Sequence, residues 1–259
     1  MSKLADKVTV ITGGGRGIGR AIALRFAEEG SAVLVAGSTE EPLVSAAKEI
    51  RDRGGRAVAC LTDVADETAV KRMVSTALEE FGRIDILVNN AGIIGPTAPV
   101  VNMDVAGWER TLAVNLTGAL LSAKYALPGM MERKSGRIIN ITSVAGLVGY
   151  AMRSAYAASK WGMIGFNRTL ALEAGRYNVT VNAIAPGPVR GARMDEVIRR
   201  RAAELNDTVE EVEREYVGRI ALGRMVEESD ITAMALFLAS DDAGNITGET
   251  FTVSGGYPL

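Results

Sequence analysis

No histidine occurs among the 259 residues, and there is one cysteine, Cys60. Without histidine there is no base for a Ser-His-Asp or Cys-His nucleophile pair. The two scarcities together remove the ligands of a zinc site, so no metal is expected. A proton moved near neutral pH must use Asp, Glu, Lys or Tyr with a shifted pKa, or a cofactor. A lone cysteine forms no intrachain disulfide. It lies in the apolar run Ala57-Val58-Ala59-Cys60-Leu61, where a small buried side chain is expected rather than a reactive thiol. Excess charge is lacking as well: 29 Lys+Arg against 31 Asp+Glu leave a net charge of −2. That balance carries no electrostatic footprint for nucleic acid or an anionic membrane. No apolar run reaches the roughly 18 residues of a membrane span. The opening Met1-Ser2-Lys3-Leu4-Ala5-Asp6-Lys7 has no apolar core of a secretory signal, and a cytoplasmic protein is the resulting expectation.

What is present is alternation. Short β-branched runs at Val8–Ile11, Ala32–Ala36, Ala57–Leu61, Ile86–Val88, Arg137–Ile141, Thr180–Ile184 and Phe251–Val253 read as strands. Between them, helical spacing covers about residues 18–29, 41–53, 66–81, 104–132, 155–175 and 228–239. Asp66 and Gly82 supply a start and a stop for the third of these, and Pro128 predicts a break in the fourth. Continuous apolar strands alternating with helices imply an α/β fold, a doubly wound parallel sheet of Rossmann type covered on both faces. Ligands then sit at the carboxyl ends of the strands. No composition break or linker divides residues 1–259, so one domain is expected. The irregular stretch is about 187–225. It carries Arg190, Arg193, Arg199, Arg200 and Arg201, followed by Glu210, Glu211, Glu213 and Glu215. It reads either as solvated surface helices or as a helical substrate lid.

The first strand runs into Thr12-Gly13-Gly14-Gly15-Arg16-Gly17-Ile18-Gly19-Arg20. Glycine lets such a turn take positive φ and bring backbone amides close to a pyrophosphate. The helix N-terminus that follows adds free N–H groups and a positive dipole end. Position after a strand and before a helix makes this a dinucleotide-binding candidate. Tyr156 and Lys160 stand at i and i+4, on one helical face. A tyrosine near pKa 10 is a poor base at neutral pH, and a neighbouring ammonium favours its phenolate. The pair therefore offers the acid–base route that a histidine-free chain needs.

The glycine spacing, Gly13, Gly17 and Gly19, resembles that of the short-chain dehydrogenase/reductase family in its compact branch. The other marks fall in order along the chain: Asp63-Val64, Asn89-Asn90-Ala91-Gly92, Asn115, Ser143, Tyr156-x-x-x-Lys160 and Pro186-Gly187. The resemblance implies hydride transfer between a nicotinamide cofactor and a secondary alcohol or ketone. By it, Tyr156 is the general acid/base and Ser143 orients the reacting oxygen. Lys160 binds the nicotinamide ribose, and Asn115 holds a water in a proton exit. The glycine turn, with Gly15, Arg16 and Ile18, would take the pyrophosphate. Asp63 and Val64 would meet the adenine, and Asn89, Ala91 and Gly92 the adenosine ribose and central strand. Asn90 is either part of that site or a turn residue. Pro186, Gly187 and the Val189 backbone would face the nicotinamide. Gly191 replaces the threonine usual there.

Gly37 stands where an acidic residue would hold the ribose hydroxyls of NAD. Ser38 and Thr39 follow it and can donate to phosphate, and Arg16 adds charge, so NADP is expected, with NAD possible. Val148, Tyr150, Arg153 and Arg193 are substrate-contact candidates; the two arginines read either as surface or interface charges or as a clamp for an anionic substrate. Small-molecule partners and a homotetramer joined through the two long helices are expected. A 3-oxoacyl thioester reductase and a non-catalytic dinucleotide-binding regulator are the alternatives.

Overall fold

The structure, a computed structural model, describes residues 2–258. Seven strands form one sheet: β1 (Val8–Thr12), β2 (Ala32–Gly37), β3 (Ala57–Leu61), β4 (Ile86–Asn89), β5 (Gly136–Ile141), β6 (Val179–Pro186) and β7 (Thr250–Val253). Their order is β3-β2-β1-β4-β5-β6-β7, and every neighbouring pair is parallel. Val10 pairs with Leu34 on one side and Leu87 on the other, which places β1 at the point where the winding reverses. At such a point the connections leave in opposite directions and open a crevice beyond the strand ends.

Helices α1 (Gly17–Glu28), α2 (Glu40–Asp52) and α9 (Glu228–Ala239) cover one face. Phe26, Ile22, Ile50, Ile231 and Leu236 interlock there with Ile11, Val33 and Val35. On the other face lie α3 (Glu67–Phe81), α5 (Gly118–Arg133) and α6 (Ser154–Ala174), where Val70, Met73, Met130 and Leu170 pack on Val10, Leu34 and Leu87. Burial on both faces explains why β1, β4 and β6 are buried along their whole length and mostly apolar rather than alternating. Cys60 is buried within the second of these layers. Asp66 caps α3 through Thr68 N at 2.9 Å, and Gly82 closes it in the left-handed region at φ 80.

The remaining helices lie above the carboxyl ends of the strands. α4 (Val105–Leu112) precedes α5, and α7 (Ala192–Leu205) and α8 (Val209–Gly218) fill the charged stretch after β6. This last pair has a small core of its own, in which Met194, Val197, Ile198, Val212 and Tyr216 pack with Val144. Its base is tied down by the Val189–Val226 bridge. Thr208 and Glu211 form a reciprocal cap at the start of α8.

One expectation needs correction. The break in the long helix is not at Pro128, which lies inside α5. It is a π turn over Ala113–Thr117 between α4 and α5. Packing around the fully buried Met130 carries the helix past the one hydrogen bond that a proline removes. No helix of the described residues is long and apolar enough to cross a membrane.

Phe26 is fully buried between α1 and the sheet. Phe26→Ala should lower the unfolding free energy by about 3–5 kcal/mol, read from the midpoint and slope of urea denaturation. An unchanged midpoint would contradict this packing.

Candidate active site

β1 ends on Thr12, and the glycine turn begins at once. Gly13 takes φ +66 and Gly17 φ +55, and α1 starts at Gly17 with Arg16 extended before it. Asn90, just past β4, closes the turn from the neighbouring strand. Its Nδ2 donates to Thr12 O and to Gly13 O, both at 3.0 Å. Thr12 Oγ1 in return accepts from Asn90 N and Ala91 N at 3.1 Å. A Cβ at Gly19 would lie 2.2 Å from Gly13 O and 2.4 Å from Asn90 Nδ2. A side chain there would push the helix off the turn, which is why this glycine spacing is needed. Sequence reasoning left Asn90 open and missed Thr12. A polar residue ending each of two apolar strands was the available signal.

On the side of β2 and β3, Ser38 and Thr39 are exposed just past Gly37. Asp63 accepts from Ala65 N at 3.0 Å and pairs with Arg110 of α4 at 2.8 Å. Burial works to raise the Asp63 carboxyl. The Ala65 N–H and the Arg110 guanidinium outweigh it and hold the group below its ordinary value. Nothing in the sequence marked Arg110. Val64 is buried against Gly118, and Gly15 sits in the turn against Pro42. The Asn89 side chain is turned into the protein, not outward to a ligand. It is buried and donates to Asn140 Oδ1 at 2.9 Å. Asn140 donates in turn to Asn167 Oδ1 at 2.9 Å. Asn89 thus ties β4 to β5 and α6.

Beyond β4 and β5 the side chains are largely buried. Asn115 sits on the π turn and is fully buried. It accepts from Ile93 N at 2.7 Å and donates to Ile93 O and Ser159 Oγ, each at 3.1 Å. π turns recur at functional sites because the extra residue re-aims a side chain. Lys160, 3% exposed, donates from Nζ to Ile141 O at 2.8 Å and lies 5.7 Å from the centre of the Tyr156 ring. Thr142 Oγ1 donates to Lys160 O at 3.0 Å and pins this turn of α6 to the end of β5. Ser143 caps a short turn after β5, its Oγ accepting from Ala145 N at 3.2 Å. A Cβ at Gly92 would stand 3.3 Å from Asn115 Oδ1 and 3.8 Å from Lys160 Nζ. A side chain there would crowd Asn115, so the backbone passes between these polar groups only as glycine.

Charge in this cluster is shared. Burial works to raise the Tyr156 phenol, but the Lys160 ammonium, the Arg193 guanidinium, the Ser143 hydroxyl and Arg153 more than offset it, and the phenol falls below its ordinary value. Lys160 is lowered, mainly by burial and further by Arg193, while Tyr156 opposes the shift. Arg193, in the first turn of α7, reaches across and donates to Gly92 O.

A cavity of about 1080 Å³ runs along these groups. Gly13, Arg16, Gly17 and Ile18 line it from the glycine turn, Gly92 and Ser143 with Tyr156 and Lys160 from the strand ends, and Pro186, Gly187 and Val189 from β6. Val148, Tyr150, Arg153 and Arg193 also face it. Gly15, Gly19, Ser38, Thr39, Asp63, Val64, Asn89, Ala91 and Asn115 lie outside that lining. Glu228 of α9 was not foreseen. It faces the cavity beside Gly17 and Gly191, and its carboxyl is raised by burial and by Glu227.

A family profile described as short chain dehydrogenase matches residues 7–215. The chain belongs to this family. It is 42% identical over 254 residues to the short-chain reductase protein NovJ of Streptomyces niveus, covering 98% of this chain and 94% of that one. It is 37% identical to cis-4-hydroxycyclohexanecarboxylate dehydrogenase of Sinomonas cyclohexanicum, covering 98% and 97%. The crystal structure of an NAD+-bound xylitol dehydrogenase superposes with a TM-score of 0.95 at 33% identity, covering 98% of this chain and 100% of the other. The chain is accordingly an NAD(P)-dependent oxidoreductase acting on CH–OH and carbonyl groups.

The charge sharing is measurable. In a spectrophotometric pH titration, the native protein minus Tyr156→Phe should show one phenol ionising below the ordinary 10.0. Arg193→Ala and Lys160→Ala should each move that step upward, because both cations lower it. A step at or above the ordinary value in the native protein would refute the coupling.

Proposed function

We propose that this chain moves hydride between an NADP-type cofactor and a secondary alcohol or the matching ketone, with Tyr156 as general acid and base. The observation that carries this is the pair of half-buried Tyr156 and buried Lys160, set with Ser143 in the same cavity as the glycine turn. In reduction the Tyr156 hydroxyl donates a proton to the carbonyl oxygen, and in oxidation its phenolate takes one from the alcohol. The lowered phenol brings its acidity nearer the working pH, where proton transfer is most effective. The Ser143 hydroxyl holds the same oxygen. Lys160 keeps positive charge beside the phenol, and Asn115 fixes the Ile93 backbone next to Lys160.

The residues suit a nicotinamide dinucleotide. Gly13 and Gly17 leave backbone N–H groups bare at the start of α1, as a pyrophosphate requires. Lys160, facing the cavity beside Gly92, suits the nicotinamide ribose. When bound, this group supplies the hydride. NADP is favoured because Gly37, not a carboxylate, ends β2, while Ser38 and Thr39 are exposed just past it and Arg16 is exposed at the turn. Asp63 and Val64 would face the adenine, with Arg110 orienting the Asp63 carboxylate. Val148 and Tyr150 supply the apolar wall against substrate, and α7 with α8 acts as the lid. Leu120, Trp161 and Leu172, exposed on α5 and α6, support a homotetramer joined through those helices.

Tyr156→Phe should reduce turnover of a ketone panel by at least about a thousandfold while cofactor affinity, read by quenching of intrinsic fluorescence, stays within about threefold. Equal turnover in the variant would remove Tyr156 from the chemistry. Initial rates at matched concentrations should favour NADPH over NADH by about tenfold or more, as expected for a charge-assisted phosphate contact. A reversed preference would give the ribose site to NAD.

A further inference from the structure

The charges lining the cavity are unequal. Eight arginine and lysine side chains face it, against two carboxylates, those of Asp104 and Glu228. Three of the cations are already neutralised: Arg110 by Asp63 at 2.8 Å, Arg190 by Glu227 at 3.4 Å and Arg200 by Glu196 at 2.6 Å. Lys160 belongs to the proton-transfer pair, Arg16 to the glycine turn, and Arg219 lies over the Tyr257 ring with its guanidinium carbon 4.9 Å from the centre.

Arg153 is the unusual one. It is 4% exposed and has no carboxylate within ion-pair distance among the described residues. Its Nη2 donates to Ile94 O at 3.0 Å, and its Nε is buried without an acceptor. Its guanidinium carbon lies 5.0 Å from the centre of the Tyr156 ring and 5.6 Å from that of Tyr150. The ring faces offset part of the charge, but they satisfy no N–H donor in the guanidinium plane. An arginine does not shed its proton to escape burial, so a cation held this deep needs an anion from elsewhere. The N-terminus of the 21-residue α6 lies at the same point, with no side-chain cap. Its dipole adds to the positive potential. Arg193 approaches from α7 and likewise has no carboxylate partner among the described residues.

We infer that the substrate is a hydroxy or oxo acid whose own carboxylate is seated on the buried Arg153 guanidinium and met from the lid by Arg193. This rests on the Tyr156 reading above. The depth of Arg153, against the Tyr156 ring itself, requires the anion to be on the reacting molecule, a few bonds from its carbonyl. An anion on a distant carrier arm would not reach it. The rest of that wall is apolar and aromatic, with Val148, Tyr150, Met194, Val197 and Tyr216. A hydrophobic ring or chain therefore joins the carboxylate to the carbonyl.

The test pairs 4-oxocyclohexanecarboxylate, 3-acetylbenzoate and 4-oxopentanoate with their methyl esters. Calorimetric titration of NADP-saturated Tyr156→Phe measures binding without turnover and with the cofactor phosphates already in place. At least one acid should bind about tenfold or more tightly than its ester. Arg153→Gln should bring that ratio close to one, and Arg153→Lys should keep part of it. Esters that bind as well as their acids, or no binding by any acid, would overturn the carboxylate seat. So would an acid-to-ester ratio that survives in Arg153→Gln, which would leave Arg153 only the task of holding Ile94. NADPH consumption by the native protein with the same compounds separates the two levels. Tyr156-dependent reduction of neutral ketones without any advantage for acids sinks the seat and leaves the hydride-transfer reading standing. If no carbonyl is reduced, it is that reading that falls, while the calorimetry still decides whether Arg153 takes a carboxylate.

Discussion

A phenol taken out of water ionises less readily than a free one unless positive charge is buried with it. Tyr156 and Lys160 meet that condition by standing one helical turn apart on α6, the lysine buried and the phenol half-buried at the cavity wall. Neither group is comfortable alone: burial acts against charge on each, and each supports charge on the other. The surroundings hold them in that state. Ile141 O takes the lysine, Thr142 pins the turn that carries it, and Gly92 keeps side-chain bulk away from it. The glycine turn, the strand ends and the lid are arranged about this pair.

The sheet makes the arrangement rigid. Parallel strands bring all their carboxyl ends to one edge, and the reversal at β1 opens that edge between β1 and β4. The open ends are then laced by side-chain amides rather than left to loops. Asn90 fastens the glycine turn to β4, and Asn89, Asn140 and Asn167 form a buried chain from β4 through β5 to α6. Amide side chains suit this position because each can donate and accept at once, satisfying a partner on either side in a dry interior.

Much of this was legible in the residues. Strands such as Val8–Thr12 are mostly apolar and buried throughout because both faces are covered, and that pattern is local. The spacing of Tyr156 and Lys160 is a helical fact independent of the rest of the fold. Position after a strand marked the glycine turn. What escaped the sequence depends on long-range geometry. Which way the Asn89 side chain turns is set by the pairing of β4 with β5. The union of Asp63 with Arg110 joins residues 47 apart. Pro128 was read as a break because local chemistry disfavours it, while packing on the sheet overrides it. The π turn, where the break occurs, has no residue signature of its own. Arg153 stood out in the sequence as a candidate for meeting an anionic substrate, but its burial and its unpaired Nε are properties of the fold.

The widened turn at Ala113–Thr117 has a consequence for how the chain tolerates change. A residue added to a helix rotates everything after it by about 100° relative to everything before it. The face that α4 presents to the cavity, with Gly107 and Arg110, is thereby uncoupled in phase from the face that α5 presents to the core, with Leu121, Ala126 and Met130. One continuous cylinder would bind the two faces to a single periodicity. The offset acts as a swivel joint: the stretch before it is free to drift in sequence toward new ligands, while the stretch after it keeps the beat of the sheet.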